Sequence, residues 1–451
     1  MTENGFSPGK FLRDSSGRLR LPIIISLAAL CIRLTYFFLV LAYNDQAGLG
    51  TMFADTTTYL KAADYLFGRS AEGHYDLYMV GAGYPFFLAV FSSVFGNTFW
   101  PVLLFQVILS SASCMMIYKI VELLSFHRSI AFVAGMISAI SITSISLASS
   151  LLTETLFFFL LVLSIFLYFR GLRSERWIIA IAAGLCGGLM ILVRSAAVFI
   201  PIIFVIFAFL IPAKETPGNR KRTLIKSGIV ALIMISIPLM WVARNKVSHD
   251  VFTLSGTGMG AARVYLTAEV LFDVSERPSW EFVDYRDSLF SASRADYETG
   301  NFKKVQADAY DLVVSTFKQY PFLYFKMFLS NVWENMTAAS SLQNSQLPVL
   351  DNRLDYFYPL RWGFQSPVML LLSLIGLAII VRRNIKKALI LFLILIYFGF
   401  LSGITFWQGS RIYYPAQVAQ AICAAVTLIF LYDLLTHFIK ALPAISRLWN
   451  K

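Results

Sequence analysis

The run LPIIISLAALCIRLTYFFLVLAY, residues 21–43, contains one charged side chain, Arg33. About 20 apolar residues let a helix cross the hydrocarbon core of a bilayer, so this run reads as a spanning helix. The segment before it is basic, but the apolar run is long and lacks a small-residue cleavage site. It therefore reads as a retained first helix and not as a signal peptide. Nine comparable runs follow, at 98–123, 130–150, 155–168, 177–193, 196–211, 225–242, 367–381, 388–407 and 414–435. Composition agrees: of 451 residues, 57% are hydrophobic and 14% charged, against about 25% charged in soluble domains. Mean hydropathy is +0.67. A single soluble core cannot hide so much apolar surface, and the disordered, collagen-like and disulfide-scaffold classes fail on the same figures. The expected fold is an all-α polytopic membrane protein of about ten transmembrane helices, with two large extracytoplasmic loops.

Basic residues orient such a chain. With the N-terminus inside, the inner segments hold Lys10, Arg13, Arg18 and Arg20, then Arg128, then Arg170, Arg173 and Arg176. The remaining inner segments hold Lys214, Arg220, Lys221, Arg222 and Lys226, then Arg382, Arg383, Lys386 and Lys387, then Lys440, Arg447 and Lys451. Against these stand Glu3, Asp14, Glu175 and Glu215 only, whereas the long segment 244–366 holds 12 basic and 14 acidic residues. Both termini are expected in the cytoplasm, and the membrane is expected to be a bacterial inner (plasma) membrane. Three parts follow: an N-terminal transmembrane module, 1–243, with a first outer loop at 44–97; an extracytoplasmic segment, 244–366; and C-terminal transmembrane helices, 367–451. The extracytoplasmic segment has helical patterning at 304–329 and aromatic anchors at Trp333 and Trp362.

Cys31, Cys114, Cys186 and Cys423 all lie in apolar runs, so they form neither a metal cluster nor a disulfide framework. The net charge of +12 is accounted for by inner loops, and no nucleic acid partner is expected. His127 reads as a surface residue of an inner turn. Asn335-Met-Thr337 matches a glycosylation sequon on the outer side, a match short enough to arise by chance. Arg33, near the middle of the first helix, costs about 2.5–3.5 kcal/mol on insertion scales and so requires a buried partner or cavity.

The informative charges are the isolated ones. On this topology Asp55 and Lys61 lie in the first outer loop and Glu154 at the hinge between helices three and four. Arg194 lies at the hinge between five and six, Arg244 at the end of seven, and Arg411 just before ten. A lone carboxylate or guanidinium in a short hinge is partly desolvated and wants a partner or an anionic ligand. Four cations and two carboxylates at one level suit a lipid-linked phosphate and a general base. Arg and Lys stabilise a departing phosphate, and a carboxylate takes a proton from an acceptor hydroxyl. No phosphate-binding P-loop or dinucleotide fingerprint occurs; Gly256-Thr-Gly258-Met-Gly260 reads as a flexible loop.

At these residues the sequence resembles a known family. Asp55-Thr-Thr-Thr-Tyr59-Leu-Lys61, Gly68 and Gly83-Tyr84-Pro85-Phe-Phe-Leu-Ala89 resemble the D-x-x-x-Y…G…Y-P-x-x-x-A pattern of the GT-C glycosyltransferase superfamily. The nearest branch is that of the protein O-mannosyltransferase-like and aminoarabinose-transferase-like enzymes. Leu152-Thr-Glu154, Gly188-Leu-Met-Ile-Leu-Val-Arg194, Pro238-Leu-Met-Trp241-Val-Ala-Arg244-Asn245 and Gly409-Ser-Arg411-Ile-Tyr-Tyr-Pro415 match later family segments in order. The resemblance implies sugar transfer from a polyprenyl-phosphate donor on the extracytoplasmic side, with Asp55 as the general base. Arg194, Arg411, Lys61 and Arg244 are then the donor-phosphate residues, and Glu154, Tyr59 and Tyr84 contact substrate. Two departures matter. Thr56 stands where many members carry a second acid, which weakens a metal role, and Ala82-Gly83 replaces the Arg or Pro often found before Tyr-Pro. Asp55, alternatively, is an N-cap of its helix.

The expected activity is a membrane glycosyltransferase working by inverting displacement onto a glycan, lipid or protein acceptor. No cofactor is required on this reading, although a divalent cation stays open. The alternatives are a flippase or transporter of a lipid-linked saccharide, or a polysaccharide polymerase. Partners are the lipid-linked donor, membrane lipids and the acceptor.

Overall fold

The computed structural model describes residues 20–211, 220–292, 296, 299–338, 367–406 and 408–449. The basic residues before Arg20, and Lys214, Glu215, Trp362, Trp407 and Lys451, lie outside the described residues. Among the described residues the chain is mostly helical, with one isolated bridge between Gln408 and Ser410 and no strand.

Each of the ten predicted segments contains a helix among the described residues. In chain order the first half contains α1 (Leu21–Tyr43), α2 (Gln46–Thr51), α3 (Ala54–Leu66), α4 (His74–Val80), α5 (Gly83–Phe95), α6 (Trp100–Leu123), α7 (Arg128–Ala139), α8 (Ile142–Ala148), α9 (Thr153–Arg173) and α10 (Trp177–Val193). The second half contains α11 (Ile200–Leu210), α12 (Arg220–His249), α13 (Thr257–Ala262), α14 (Ala268–Val274), α15 (Phe282–Ser291), α16 (Phe302–Gln319), α17 (Pro321–Thr337), α18 (Pro367–Arg383), α19 (Ile385–Ser402) and α20 (Gln417–Trp449). Six of these are long and apolar enough to cross a membrane, or seven if the bent pair α7–α8 counts as one span. The protein is a polytopic integral membrane protein, with several spans shorter than the sequence pattern suggested.

The departures from the predicted segments have local causes. The run 130–150 is not one helix: α7 and α8 meet at a 52° bend, where Ser141 caps α8 by accepting from the Ser144 N–H. Hydroxyls at this point compete with the helix ladder. The patterning at 304–329 resolves into α16 and α17, divided at Tyr320 and Pro321, because proline belongs at the first turn of a new helix. The Gly256–Gly260 stretch, expected as a loop, forms most of α13. Pro238 lies inside α12 without ending it.

Small residues draw the helices of the site together. A Cβ at Gly187 would stand 2.5 Å from Met234, and one at Gly188 would stand 2.6 Å from Ile237. The α10–α12 contact thus depends on their absence, as at many helix interfaces in membranes. A Cβ at Gly83 would stand 2.4 Å from the Val193 nitrogen, so the start of α5 lies directly against the end of α10.

Charge is sorted between the two ends of the bundle. At one end Lys226 donates to the carbonyls of Gly171 (2.8 Å) and Ser174, Arg222 to that of Glu175 (2.9 Å), and Lys387 to that of Ser125 (3.1 Å). Cations at helix C-termini satisfy orphan carbonyls and oppose the helix dipole. The isolated charges singled out by the sequence belong to the opposite end.

Arg33 is fully buried, and its guanidinium binds neutral groups alone among the described residues. It donates to Ser110 Oγ (2.8 Å), Ser144 Oγ (2.8 Å), Ala139 O (2.8 Å), Ser138 O (3.1 Å) and Ala29 O (3.3 Å). The carbonyls of Ser138 and Ala139 close α7 at its bend, so the negative end of that helix serves as the counter-charge. The mid-helix cation is a staple for a broken helix.

Candidate active site

Glu154 is the centre of the site. It occupies the first turn of α9, where a helix N-terminus favours a carboxylate, and it is 0% exposed. Its Oε1 accepts from Arg194 Nη1 at 2.9 Å and from Arg411 Nε, while Thr153 Oγ1 donates to Oε2 at 3.2 Å. Burying a carboxylate is tolerable only with such partners.

Asp55 lies in the first turn of α3 and is not its N-cap: Phe53 holds that place and no side chain caps the helix. The carboxylate is free to face outward, is 48% exposed, and binds Arg411 Nη2 through Oδ2 at 2.5 Å. Thr56 beside it is wholly buried and donates to the Leu151 carbonyl at 3.1 Å. This bond pins α3 to the turn before α9. It also means that position 56 supplies no outward-facing ligand beside Asp55. Among the described residues no three His, Cys, Asp or Glu side chains gather as a metal site would need.

One turn on, Tyr59 is buried and meets Tyr84 edge-on at 5.1 Å between ring centroids. Burial, and after it the charges of Asp55 and Glu154, push the Tyr59 phenol up, so it remains protonated. Tyr84 OH donates to Gln106 Oε1 (2.9 Å), and Gln106 Nε2 donates to Ser150 O (2.7 Å). Tyr84 is therefore a buried brace behind the site. Gln106 was missed in the sequence reading, although an amide in the middle of an apolar run is itself a signal that a buried partner is needed.

Arg411 comes from the irregular segment between α19 and α20. Ser410 Oγ pairs with Thr143 Oγ1 at 2.6 Å, and Tyr414 OH donates to Ser144 Oγ at 3.1 Å. Both bonds fasten the segment to the bent α7–α8 pair that Arg33 staples. Burial works against the Arg411 charge, but the Glu154 and Asp55 carboxylates outweigh it and hold its pKa well above the ordinary value.

Asp55, Glu154, Arg194 and Arg411 are thus one connected group, with Tyr59 against it. Two other candidates stand apart. Lys61 is exposed and lies about 120° around α3 from Asp55, where its charge acts on Asp76. Arg244 stacks on Trp241 (4.9 Å), donates to Asn245 Oδ1 (3.0 Å) and meets His249 Nε2 (2.9 Å). Asn335 of the sequon is buried, with its amide donating to Asn331 O (2.9 Å), Ser402 O (3.0 Å) and Thr405 O (3.0 Å). A buried, fully bonded amide is not an accessible acceptor.

Two chambers meet at Asp55. One, of about 370 Å³, has apolar walls including Phe157, Phe398 and Leu401, and it contains Arg194 and Arg411. The other, of about 560 Å³, is lined by Tyr75, Tyr78, Arg263, Arg286, Asp287 and Gln306. Asp55, Thr257 and Tyr265 border both. Tyr265 and the other outer-segment residues had no signal in the sequence beyond their place in a large loop, and Thr257 none beyond its glycine-rich stretch.

The structure superposes on an oligosaccharyltransferase of Archaeoglobus fulgidus, solved with Zn and sulfate, with a TM-score of 0.52 at 12% identity over 95% of this chain. At this identity the likeness shows a shared fold: the chain has the fold of the membrane part of that oligosaccharyltransferase's structure. Other structures of the A. fulgidus enzyme match to a similar degree. One is tethered to an acceptor peptide containing an NVT sequon (TM-score 0.53, 13% identity, 94% of this chain and 50% of that one). Another, named AglB, holds an inhibitory peptide and a dolichol-phosphate (TM-score 0.52, 14% identity, 94% of this chain and 51% of that one). The chain spans about half the length of these oligosaccharyltransferase chains. The family model for dolichyl-phosphate-mannose-protein mannosyltransferase matches residues 80–241, from the end of α4 into α12. Among curated proteins no relative matches the sequence.

Proposed function

We propose that this protein transfers a sugar from a polyprenyl-phosphate donor to an acceptor hydroxyl. The active site opens on the extracytoplasmic side of a bacterial inner membrane, and both termini are cytoplasmic. The observation that carries this reading is the half-exposed carboxylate of Asp55 at the junction of the two chambers, bonded to a guanidinium that buried Glu154 holds in place.

The apolar chamber takes the lipid-linked donor, with its phosphate at Arg194 and Arg411. Arg194 uses one of its five N–H donors on Glu154 among the described residues, which leaves a fork for phosphate oxygens. The wider chamber takes the acceptor. Asp55 accepts the acceptor's hydroxyl proton as its oxygen bonds to the anomeric carbon. The bond from that carbon to the phosphate oxygen breaks on the opposite face, and its electron pair leaves on the lipid phosphate. Fixed guanidiniums stabilise that developing charge without reorganising. Inversion at the anomeric carbon follows from a single displacement. Lys61 and Arg244 have no part in this arrangement, and Tyr84 acts only through Tyr59. The match to the mannosyltransferase family model and the dolichol-phosphate found in AglB support a lipid-phosphate donor of this class.

The test is transfer in proteoliposomes with labelled polyprenyl-phosphate sugars and envelope extract as acceptor. Wild type should release label from the lipid phosphate, and Asp55→Asn should not. Label that crosses the bilayer while staying on the lipid, in both proteins, would replace transfer with transport.

A further inference from the structure

Helix α17 has three distinct faces. At 100° per residue, Phe322, Phe325, Leu329 and Trp333 fall within an arc of about 80°, and all four are exposed, from 90% at Phe322 and 64% at Trp333 to 48% at Leu329. Lys326, Ser330 and Glu334, also exposed, form the next arc. The opposite face is buried. There Asn331 Nδ2 donates to Glu269 Oε2 at 2.6 Å, and Asn335 holds the Ser402 and Thr405 carbonyls and accepts from the Gln408 N–H at 3.3 Å.

The apolar arc is not an isolated patch. It borders Phe328 and Val332, which pack on the end of α19: the Phe328 and Phe400 rings are 4.7 Å apart, and a Cβ at Gly403 would stand 2.6 Å from Phe328 and 2.7 Å from Val332. Helix α19 is a candidate membrane span. It exposes Leu389, Phe392, Ile396 and Phe400, one stripe at spacings of three and four, which is the surface a spanning helix turns to hydrocarbon. The exposed apolar surface therefore runs along α19 and continues, through the Phe328–Phe400 contact, onto α17.

We propose that α17 lies in the membrane interface on the side of the ionic site, and that the occupant of its apolar arc is the lipid bilayer. Phe322, Phe325, Leu329 and Trp333 enter the boundary between headgroups and acyl chains, while Lys326, Ser330 and Glu334 meet headgroups and water. Trp, Phe and Lys are the residues that suit this depth. Because the buried face grips the segment Ser402–Gln408, three residues before Arg411, the bilayer sets the depth at which that segment is held. The inference rests on α19 spanning a membrane and is independent of the proposed activity.

The test places an environment-sensitive fluorescent amino acid at Phe325 in the full chain in proteoliposomes. Phe400 provides the lipid-facing reference, and exposed Asp311 on α16 the aqueous one. Brominated lipids should quench the Phe325 probe as they quench the Phe400 probe, and aqueous iodide should reach it far less than it reaches Asp311. A probe at Leu329 repeats the measurement if the Phe325 variant is poorly folded. Iodide access equal to that at Asp311, without quenching by lipid, would overturn the proposal. So would protection from both quenchers, because protein would then cover the stripe.

Discussion

Arg411 Nη2 lies 2.5 Å from Asp55 Oδ2, across 356 residues of chain. The same guanidinium binds Glu154 through Nε, so the exposed carboxylate and the buried one are joined through a single side chain. Glu154 fixes the guanidinium from behind, and Asp55 meets it from the side where the chambers open.

This arrangement separates the roles of the two acids. Asp55→Asn keeps the size of the side chain and a polar contact but removes the base. Turnover should fall by about 10²–10⁴, the range for a general base, with thermal unfolding in detergent near that of wild type. Comparable losses in turnover and in folding would make Asp55 a structural residue.

Glu154→Ala should behave in the opposite sense. It leaves two guanidiniums around an empty buried position, and breaking a buried pair costs about 3–5 kcal/mol. Scanning calorimetry in detergent should register the loss. Adding Arg411→Gln to Glu154→Gln should cost less than the sum of the single changes, since the charge left unpaired by one is removed by the other.

Arg411→Lys retains the charge but cannot span Asp55 and Glu154 with one rigid fork. Transfer should fall by about 10²–10³, as when an oriented donor to a developing anion is lost. Arg244→Ala should leave donor turnover close to wild type, because its partners are Asn245, His249 and Trp241. A large loss from Arg244→Ala would return that residue to the donor site.

Glu269 provides a pH signature. Burial raises its pKa from 4.5 to about 7, against the stabilising bond from Asn331. The folded state therefore binds this proton more tightly than the unfolded state. The associated stability is present below about pH 4.5 and is lost as pH rises to about 7. Unfolding temperatures measured across that window should fall for wild type and change less for Glu269→Gln.

Arg33→Met should destabilise the fold without touching the chambers. It strips the donors from the Ser138 and Ala139 carbonyls, each costing about 1–3 kcal/mol when left buried and unsatisfied. Calorimetry would register this loss, and an unchanged unfolding temperature would refute the staple.

Sequence and tertiary structure contributed different parts of this picture. Apolar runs such as 21–43 and 177–193 determine by themselves that the chain is helical and enters a membrane, because each backbone in hydrocarbon must satisfy its own hydrogen bonds. Glu154, Arg194 and Arg411 were also legible as isolated charges in short segments between apolar runs, and Asp55 through the D-x-x-x-Y resemblance of the first outer loop. Lys61 and Arg244 carried the same signal in the sequence, and only the fold separates them from the other four. The orientation of α3, set by the Thr56 bond to Leu151, turns Lys61 away, and the last turns of α12 give Arg244 partners of its own. The bend at Ser141, the braces at Gln106 and Arg33 and the division of the cavity at Asp55 likewise depend on packing. Sequence periodicity reports which face of a helix is apolar. Which polar group meets which is decided by the relative rotation and depth of helices far apart in the chain.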